Sequence, residues 1–91
     1  MVTWTPQGQA DLRAIDRETA MGILHCLDRF LKNREGDVKK LKPPRTDFLL
    51  RCGDYRLFFD FAIYITRSGR TSINTMSIRI TAVLHRSDAY R

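Results

Sequence analysis

The stretch Arg51-Cys52-Gly53-Asp54-Tyr55-Arg56 decides the fold of this chain. Apolar runs flank it on both sides, with Phe48-Leu49-Leu50 before it and Leu57-Phe58-Phe59 after it. Gly-Asp between two β-prone runs is typical of a tight hairpin turn. The stretch therefore predicts two antiparallel strands, with one arginine on each side of the bend.

Downstream of the turn, residues 55–66 form a long predicted strand with apolar side chains at its odd positions. A last strand is predicted at about residues 75–84, where even positions are apolar. Because side chains alternate between the two faces of a strand, the remaining positions share the opposite face. That face is predicted to carry Arg56, Asp60, Arg79, Thr81 and His85.

Upstream, the sequence predicts one short strand and two helices. Residues 1–5 alternate as a strand does, and Thr5-Pro6 is a typical helix start. That helix is expected to end near Ile15, and Asp16 is expected to cap a second one that ends near Asn33. Apolar residues at helical spacing form one stripe on it, namely Ile23, Leu24, Leu27, Phe30 and Leu31.

Residues 37–42 predict a weak or bulged strand, and Pro43-Pro44 favours an edge position for it. The order predicts an α+β fold in one domain, residues 1–91. It consists of an N-terminal strand, a two-helix hairpin and an antiparallel meander sheet packed on the helices. Hydrophobic residues make up 43% of the chain, which is enough for one core.

The charge balance indicates an anionic partner. The formal net charge is +6 and the pI is about 9.9, with no separate basic tail. A nucleic acid, an acidic peptide or an anionic lipid would suit it, and the alternative is an ordinary basic protein. The two cysteines, Cys26 and Cys52, lack CxxC spacing, so we expect reduced thiols in a cytoplasmic protein. No apolar run approaches the roughly 20 residues of a membrane helix, so no membrane partner is expected.

Two motifs resemble the RelE/ParE superfamily of bacterial toxins from toxin–antitoxin systems. The first is Lys39-Lys40-Leu41 followed by the 48–59 hairpin with its Gly-Asp-Tyr-Arg turn. The second is Val83-Leu84-His85-Arg86-Ser87-Asp88-Ala89-Tyr90, a closing His-Arg with a tyrosine four residues further on. Together with the helical hairpin and the length, they extend the resemblance over essentially the whole chain.

The resemblance implies a toxin silenced by an antitoxin whose flexible segment wraps around it. RelE-like members cut messenger RNA in the ribosomal A site, without a metal or other cofactor, by attack of a ribose 2′-hydroxyl on the adjacent phosphate. ParE-like members share the fold and inhibit DNA gyrase instead. The expected function is therefore that of a ribosome-dependent mRNA endonuclease. The alternatives are a gyrase inhibitor and a catalytically weakened toxin that only binds its antitoxin.

The resemblance also suggests site residues. Arg56 matches the arginine that stabilises the phosphate, a role suited to a guanidinium that grips two oxygens. His85 matches a proton-transfer position, and Tyr90 is expected to stack on a base or to orient the 2′-hydroxyl. These three are the predicted catalytic residues. Predicted contacts to RNA or phosphate are Arg51, Arg86, Lys39, Lys40, Lys42 and Arg79.

Each of these residues also has an ordinary structural interpretation. Arg56 would then pair with Asp60 or Asp54, His85 would cap the end of its strand, and Tyr90 would pack the tail. Some RNA-cleaving relatives carry lysines on the strand before the turn, but Asp47 and Leu49 stand in the matching stretch here. The general base would then be His85, or the activity would be weak or absent.

Overall fold

A computed structural model describes residues 2–65, 68–69 and 71–89 of the chain. Five strands and three helices follow one another in these residues. They are β1 (Val2–Trp4), α1 (Pro6–Arg13), α2 (Arg17–Asn33), β2 (Asp37–Lys40), β3 (Phe48–Cys52), β4 (Tyr55–Ile65), β5 (Thr71–His85) and α3 (Arg86–Ala89).

The strands form one sheet in the order β1-β5-β4-β3-β2. Neighbours from β2 to β5 are antiparallel, which confirms the predicted α+β fold and its meander, and β2 is an edge strand as predicted. β1 lies at the other edge and runs parallel to β5. Two parallel strands need a long connection. The connection from β1 to β5 contains α1, α2 and the strands β2 to β4. No helix in the described ranges has the length and apolar character to cross a membrane.

Side-chain caps set the starts of both long helices. The Thr5 hydroxyl accepts a hydrogen bond from the Gly8 N–H (3.1 Å), and Pro6 follows in the first turn of α1. The Asp16 carboxylate accepts from the Thr19 N–H (3.0 Å) at the start of α2. α2 ends at Asn33 as predicted, with Arg34 in the left-handed region (φ 57°). α1 ends at Arg13, two residues before the predicted end.

The Asp16 cap makes the stability of α2 depend on pH. The hydrogen bond from Thr19 holds the pKa of this carboxyl below its usual 3.8. A depressed folded-state pKa contributes stability above the unfolded pKa, and that stability is lost as the pH falls through the folded value. We expect Asp16→Asn, which still caps but does not titrate, to lose less stability between about pH 5 and pH 2. Urea unfolding across this range measures the difference, and parallel pH profiles would contradict the expectation.

The core lies between the helices and one face of the sheet. From α2 it receives Ile23, Leu27 and Phe30, three of the predicted stripe residues, whereas Leu24 is exposed. The sheet contributes Leu50, Cys52, Leu57, Phe59, Ile78, Ile80 and Val83. Burying side chains of this size stabilises a fold by roughly 1.5–3 kcal/mol each. This face fixes the position of the β3–β4 hairpin beneath α2.

A β-bulge at Thr81 reverses the side-chain alternation of β5. Phe58 pairs with Ala82 but Phe59 pairs with Ile80, so Thr81 is the extra residue. After the bulge, the Val83 N–H donates to the Asp11 carboxylate of α1 (3.0 Å).

The bulge corrects the predicted faces of the sheet. Val83 lies in the core, and His85 lies directly opposite Tyr55, on the face turned toward the helices. Arg56 lies opposite Leu84, on the other face. The prediction that Arg56 and His85 share one face is therefore wrong, because parity cannot be counted through Thr81.

Candidate functional site

A groove of about 720 Å³ opens between α2 and the β3–β4 hairpin. The hairpin forms one wall with Arg51, Cys52, Gly53, Asp54 and Tyr55, and α2 forms the other with Thr19, Gly22, Ile23, Cys26 and Arg29. Glu35, Gly36 and His85 complete the lining. Seven of these thirteen residues are polar or charged, so the groove offers both polar and apolar surface to a ligand.

His85 holds its place in the groove through two structural contacts. Its ring packs edge-on against Tyr55, with ring centroids 5.4 Å apart and planes at 89°. Its Nδ1 accepts a hydrogen bond from the Ser87 N–H (3.2 Å) and lies 2.9 Å from the Ser87 hydroxyl oxygen. His85 therefore caps the short helix α3. Since Nδ1 accepts from an N–H, the neutral ring carries its proton on Nε2.

Arg86 ties α3 to the hairpin turn. Its backbone N–H donates to the Asp54 carbonyl (2.7 Å), and its Nε lies 3.7 Å from the Asp54 carboxylate. The guanidinium is still largely exposed. The structure thus brings Asp54, Tyr55, His85 and Arg86 together at one corner, which we call the His85 corner. Tyr90 lies outside the described residues.

Arg56 is buried, with only 4% of its surface exposed. Its Nη1 donates to the carbonyls of Gly53 (2.8 Å) and Tyr55 (3.0 Å), so the side chain closes over its own hairpin. Gly53 has φ +60°, a conformation that glycine adopts without strain. These two bonds go to backbone carbonyls, whereas the structural interpretation named Asp60 or Asp54 as its partner. Its phosphate role stays a prediction.

The sheet face away from α2 carries other predicted contacts, and acids accompany several of them. Arg79 forms a two-pronged pair with Asp60 (3.0 and 2.7 Å), and the hydrogen bond raises the pKa of the guanidinium above its usual value. Arg51 lies opposite Arg56, with Nη1 at 3.8 Å from the Asp37 carboxylate and 58% of its side chain exposed. Arg51 is therefore the more available of the two for an anion.

The three predicted lysines lie at the β2 edge and are exposed. Lys39 lies opposite Leu49 and shares its face, whereas Lys40 lies opposite Phe48 on the helix side. Lys42 follows the strand, which ends two residues earlier than predicted. Of the two predictions for this strand, weak or bulged, the bulge is not found, because β2 pairs with β3 in a regular register. The lysines do not converge on the His85 corner.

Leu49, which lies in the stretch where lysines were sought, belongs to an apolar pair on the sheet. Leu49 and Phe58 lie directly opposite each other on the face away from α2, and both are buried. The Arg45 guanidinium lies 5.1 Å from the centre of the Phe58 ring and pairs with Asp47 through bonds of 3.1 and 2.6 Å. Arg45 was not singled out in the sequence, where nothing in the pattern marks a loop arginine as a cover for this ring.

The two cysteines are joined in a disulfide, which corrects the expectation of reduced thiols. Cys26 of α2 and Cys52 of β3 have Cα atoms 5.9 Å apart, within the range that a disulfide spans. The spacing of the two cysteines in the sequence, which is not CxxC, did not predict this pairing. The packing of α2 on β3 is what brings the two residues together. Among the residues described, no cluster of three or more His, Cys, Asp or Glu side chains is arranged to hold a metal ion.

Three solved structures resemble the chain over nearly its full length. The RelB–RelE antitoxin–toxin complex from Methanococcus jannaschii matches with a TM-score of 0.67 and 20% identity, over 97% of this chain and 94% of that one. The RelE–RelB complex from Pyrococcus horikoshii OT3 gives 0.59 and 19%, over 97% and 96%. The toxin–antitoxin complex RelBE2 from Mycobacterium tuberculosis gives 0.61 and 23%, over 94% and 96%.

No protein-family model matches the sequence, and no curated protein does either. The structural likenesses show that the chain has a RelE-like fold, which confirms the fold expected from the hairpin and tail motifs.

Proposed function

We propose that this chain is the toxin of a type II toxin–antitoxin pair and that it cleaves messenger RNA on the ribosome. The observation that carries the toxin role is the likeness of nearly the whole chain to structures of RelE–RelB complexes. The proposed partners are a cognate antitoxin protein, the ribosome and its messenger RNA. The net charge of +6 supports partners that are anionic.

In the proposed reaction, a ribose 2′-hydroxyl attacks the adjacent phosphate and the 5′-oxygen leaves. A water molecule takes the proton of the 2′-hydroxyl. His85, as the imidazolium, is assigned to protonate the leaving oxygen from Nε2, with its Nδ1–H donating to the Ser87 hydroxyl oxygen 2.9 Å away. This differs from the role of general base considered from the sequence. Arg86, at the same corner and largely exposed, is assigned to the charge that builds on the phosphate.

In this scheme Arg56 has an indirect role, in place of the direct phosphate contact that the resemblance suggested. Its guanidinium bonds to the Gly53 and Tyr55 carbonyls, so it holds the hairpin that presents Asp54 and Tyr55. Arg51 is assigned to bind RNA phosphate, since most of its side chain is exposed. Tyr90 keeps its proposed role of stacking on a base or orienting the 2′-hydroxyl.

A translation reaction with purified ribosomes and primer-extension mapping tests the cleavage. We expect His85→Asn to slow cleavage by about 100-fold or more, the usual worth of a general acid. Asparagine can still accept the Ser87 N–H and cap α3, so the loss would not come from unfolding. His25→Ala, at an exposed histidine of α2, is the matched control and should cleave normally. Intact messenger RNA at saturating wild-type toxin would contradict the endonuclease proposal.

A toxin that does not cleave RNA is the second candidate. It is favoured by the buried Leu49–Phe58 pair and by the acid partners of Arg45 and Arg79. Such a chain would inhibit gyrase, or only bind its antitoxin. Inhibition of supercoiling by purified gyrase, together with intact messenger RNA, would favour the first of these.

The neighbouring gene and a growth assay test whether the chain has a cognate antitoxin. We expect a neighbouring gene to encode a small, partly disordered protein with an acidic or amphipathic segment. Expression of the chain alone should arrest growth, and co-expression of that neighbour should restore it. Normal growth on expression of the chain, with no such gene beside it, would remove most of the support for the toxin role.

A further inference from the structure

The disulfide between Cys26 and Cys52 joins the two walls of the groove. Cys26 lies on α2, and Cys52 is the last residue of β3 before the hairpin turn. Both residues line the groove of about 720 Å³ that separates α2 from the turn. In addition to the apolar packing of α2 on the sheet, the covalent bond therefore links the helix directly to the residue that precedes the hairpin turn.

The two sulfur positions differ in their access to solvent. Cys52 is buried, with 7% of its surface exposed, whereas Cys26 is half-buried at the groove wall. Arg29 lies one helical turn beyond Cys26, and both residues line the groove. An incoming thiol can therefore approach Cys26 through the groove.

We propose that Cys26 and Cys52 form a reversible thiol–disulfide switch that exchanges with thiols and disulfides of the glutathione class. In reduction, an external thiolate bonds to the Cys26 sulfur and expels the Cys52 sulfur as a thiolate, which takes a proton. A second external thiol then displaces Cys26 as a thiol. The external pair leaves as a disulfide, having supplied the two electrons and two protons that the cysteines gain.

The switch acts on the His85 corner through the hairpin turn. Asp54, two residues after Cys52, accepts the hydrogen bond from the Arg86 N–H, and Tyr55 packs on the His85 ring. Reduction frees the hairpin tip from α2 and so loosens the support of both contacts. The switch is independent of the proposed toxin role, because thiol exchange and hydrogen exchange are both measured on the isolated chain.

A redox titration of the purified chain tests the exchange. The protein is equilibrated in buffers of different reduced-to-oxidised glutathione ratio, and its thiols are counted by mass after alkylation. The pair should pass from two thiols to none in one step within the series, without dimers. Two thiols at every ratio, or a disulfide that persists in excess dithiothreitol at native pH, would each overturn the switch.

Hydrogen exchange tests the coupling to the corner. Amides of residues 53–55 and 86 should exchange on the order of tenfold faster in the reduced chain. The Val83 N–H, bound by Asp11 outside the groove lining, should exchange equally in both forms. Equal rates at residues 53–55 and 86 would overturn the coupling.

A cysteine variant supplies the matched control for both measurements. Cys26→Ser, at the half-buried position, should match the reduced wild type under all conditions. It should melt about 10 °C below the oxidised wild type, as expected when a loop of this length is no longer closed. Equal melting temperatures for Cys26→Ser and the oxidised wild type would overturn the claim that the bond holds the hairpin to α2.

Discussion

Replacing Arg56 with alanine should lower the free energy of unfolding by about 3 kcal/mol. The side chain is 4% exposed and bonds to two carbonyls of its own hairpin, at 2.8 and 3.0 Å. Alanine would leave those carbonyls without their charged donor and would leave a space beside β4. Urea unfolding followed by circular dichroism measures the loss.

Arg51 provides the control for this prediction. It lies directly opposite Arg56 in the paired strands but is largely exposed, so Arg51→Ala should change stability by no more than about 0.5 kcal/mol. If Arg51→Ala and Arg56→Ala lowered the free energy of unfolding equally, burial of Arg56 would not explain the effect of its replacement. An Arg56 variant that fails to cleave RNA is evidence about catalysis only if it still folds, whereas an Arg51 variant tests phosphate contact directly.

Alanine at Gly8 should destabilise the fold by about 2 kcal/mol, because α1 packs too closely on β5 for a side chain. A Cβ built at Gly8 would lie 2.7 Å from the Ile80 carbonyl oxygen, which is backbone and cannot rotate away. The helix would have to move from the sheet. That movement would strain the Thr5 N–H bond to the same carbonyl (3.0 Å).

Gly22 is the matched control, since it is also a helical glycine but a Cβ there meets nothing within 4 Å. Gly22→Ala should therefore stabilise the chain by about 0.5–1 kcal/mol through helix propensity. Thermal melting of the two variants side by side measures opposite shifts. A stabilising Gly8→Ala would show that α1 and β5 do not approach as closely as described.

Local signals explain what the sequence predicted of the fold. Gly53-Asp54 between apolar runs fixed β3 and the start of β4, and Asp16 with the apolar stripe fixed α2. The hairpin motif at residues 48–59 and the tail motif at residues 83–90 together indicated the RelE-like fold. Each of these patterns is contained within a few neighbouring residues, so it can be read without knowing the rest of the structure.

Contacts between distant segments explain what it missed. The bulge at Thr81 is accompanied by a bond from Val83 to Asp11, on a helix far earlier in the chain, and it moves His85 to the other face. The approach of Cys26 to Cys52 likewise follows from packing of α2 on β3. Side-chain chemistry is therefore enough to suggest candidate site residues. The sheet face on which each residue lies, and the residues that it contacts, depend on the three-dimensional fold.

The parallel pairing of β1 with β5 has a consequence for how the chain folds. Val2 pairs with Ile78, so this edge of the sheet joins two segments that are far apart in the sequence. On its other side, β5 pairs with β4. Closing so long a loop carries a high entropic cost before any contact repays it, which slows folding. A chain emerging from the ribosome can form α1 and α2 early, but it cannot complete the sheet until residues 78–85 are available. During synthesis, this domain should therefore complete its sheet only after residues 78–85 have been made, in a late and cooperative step.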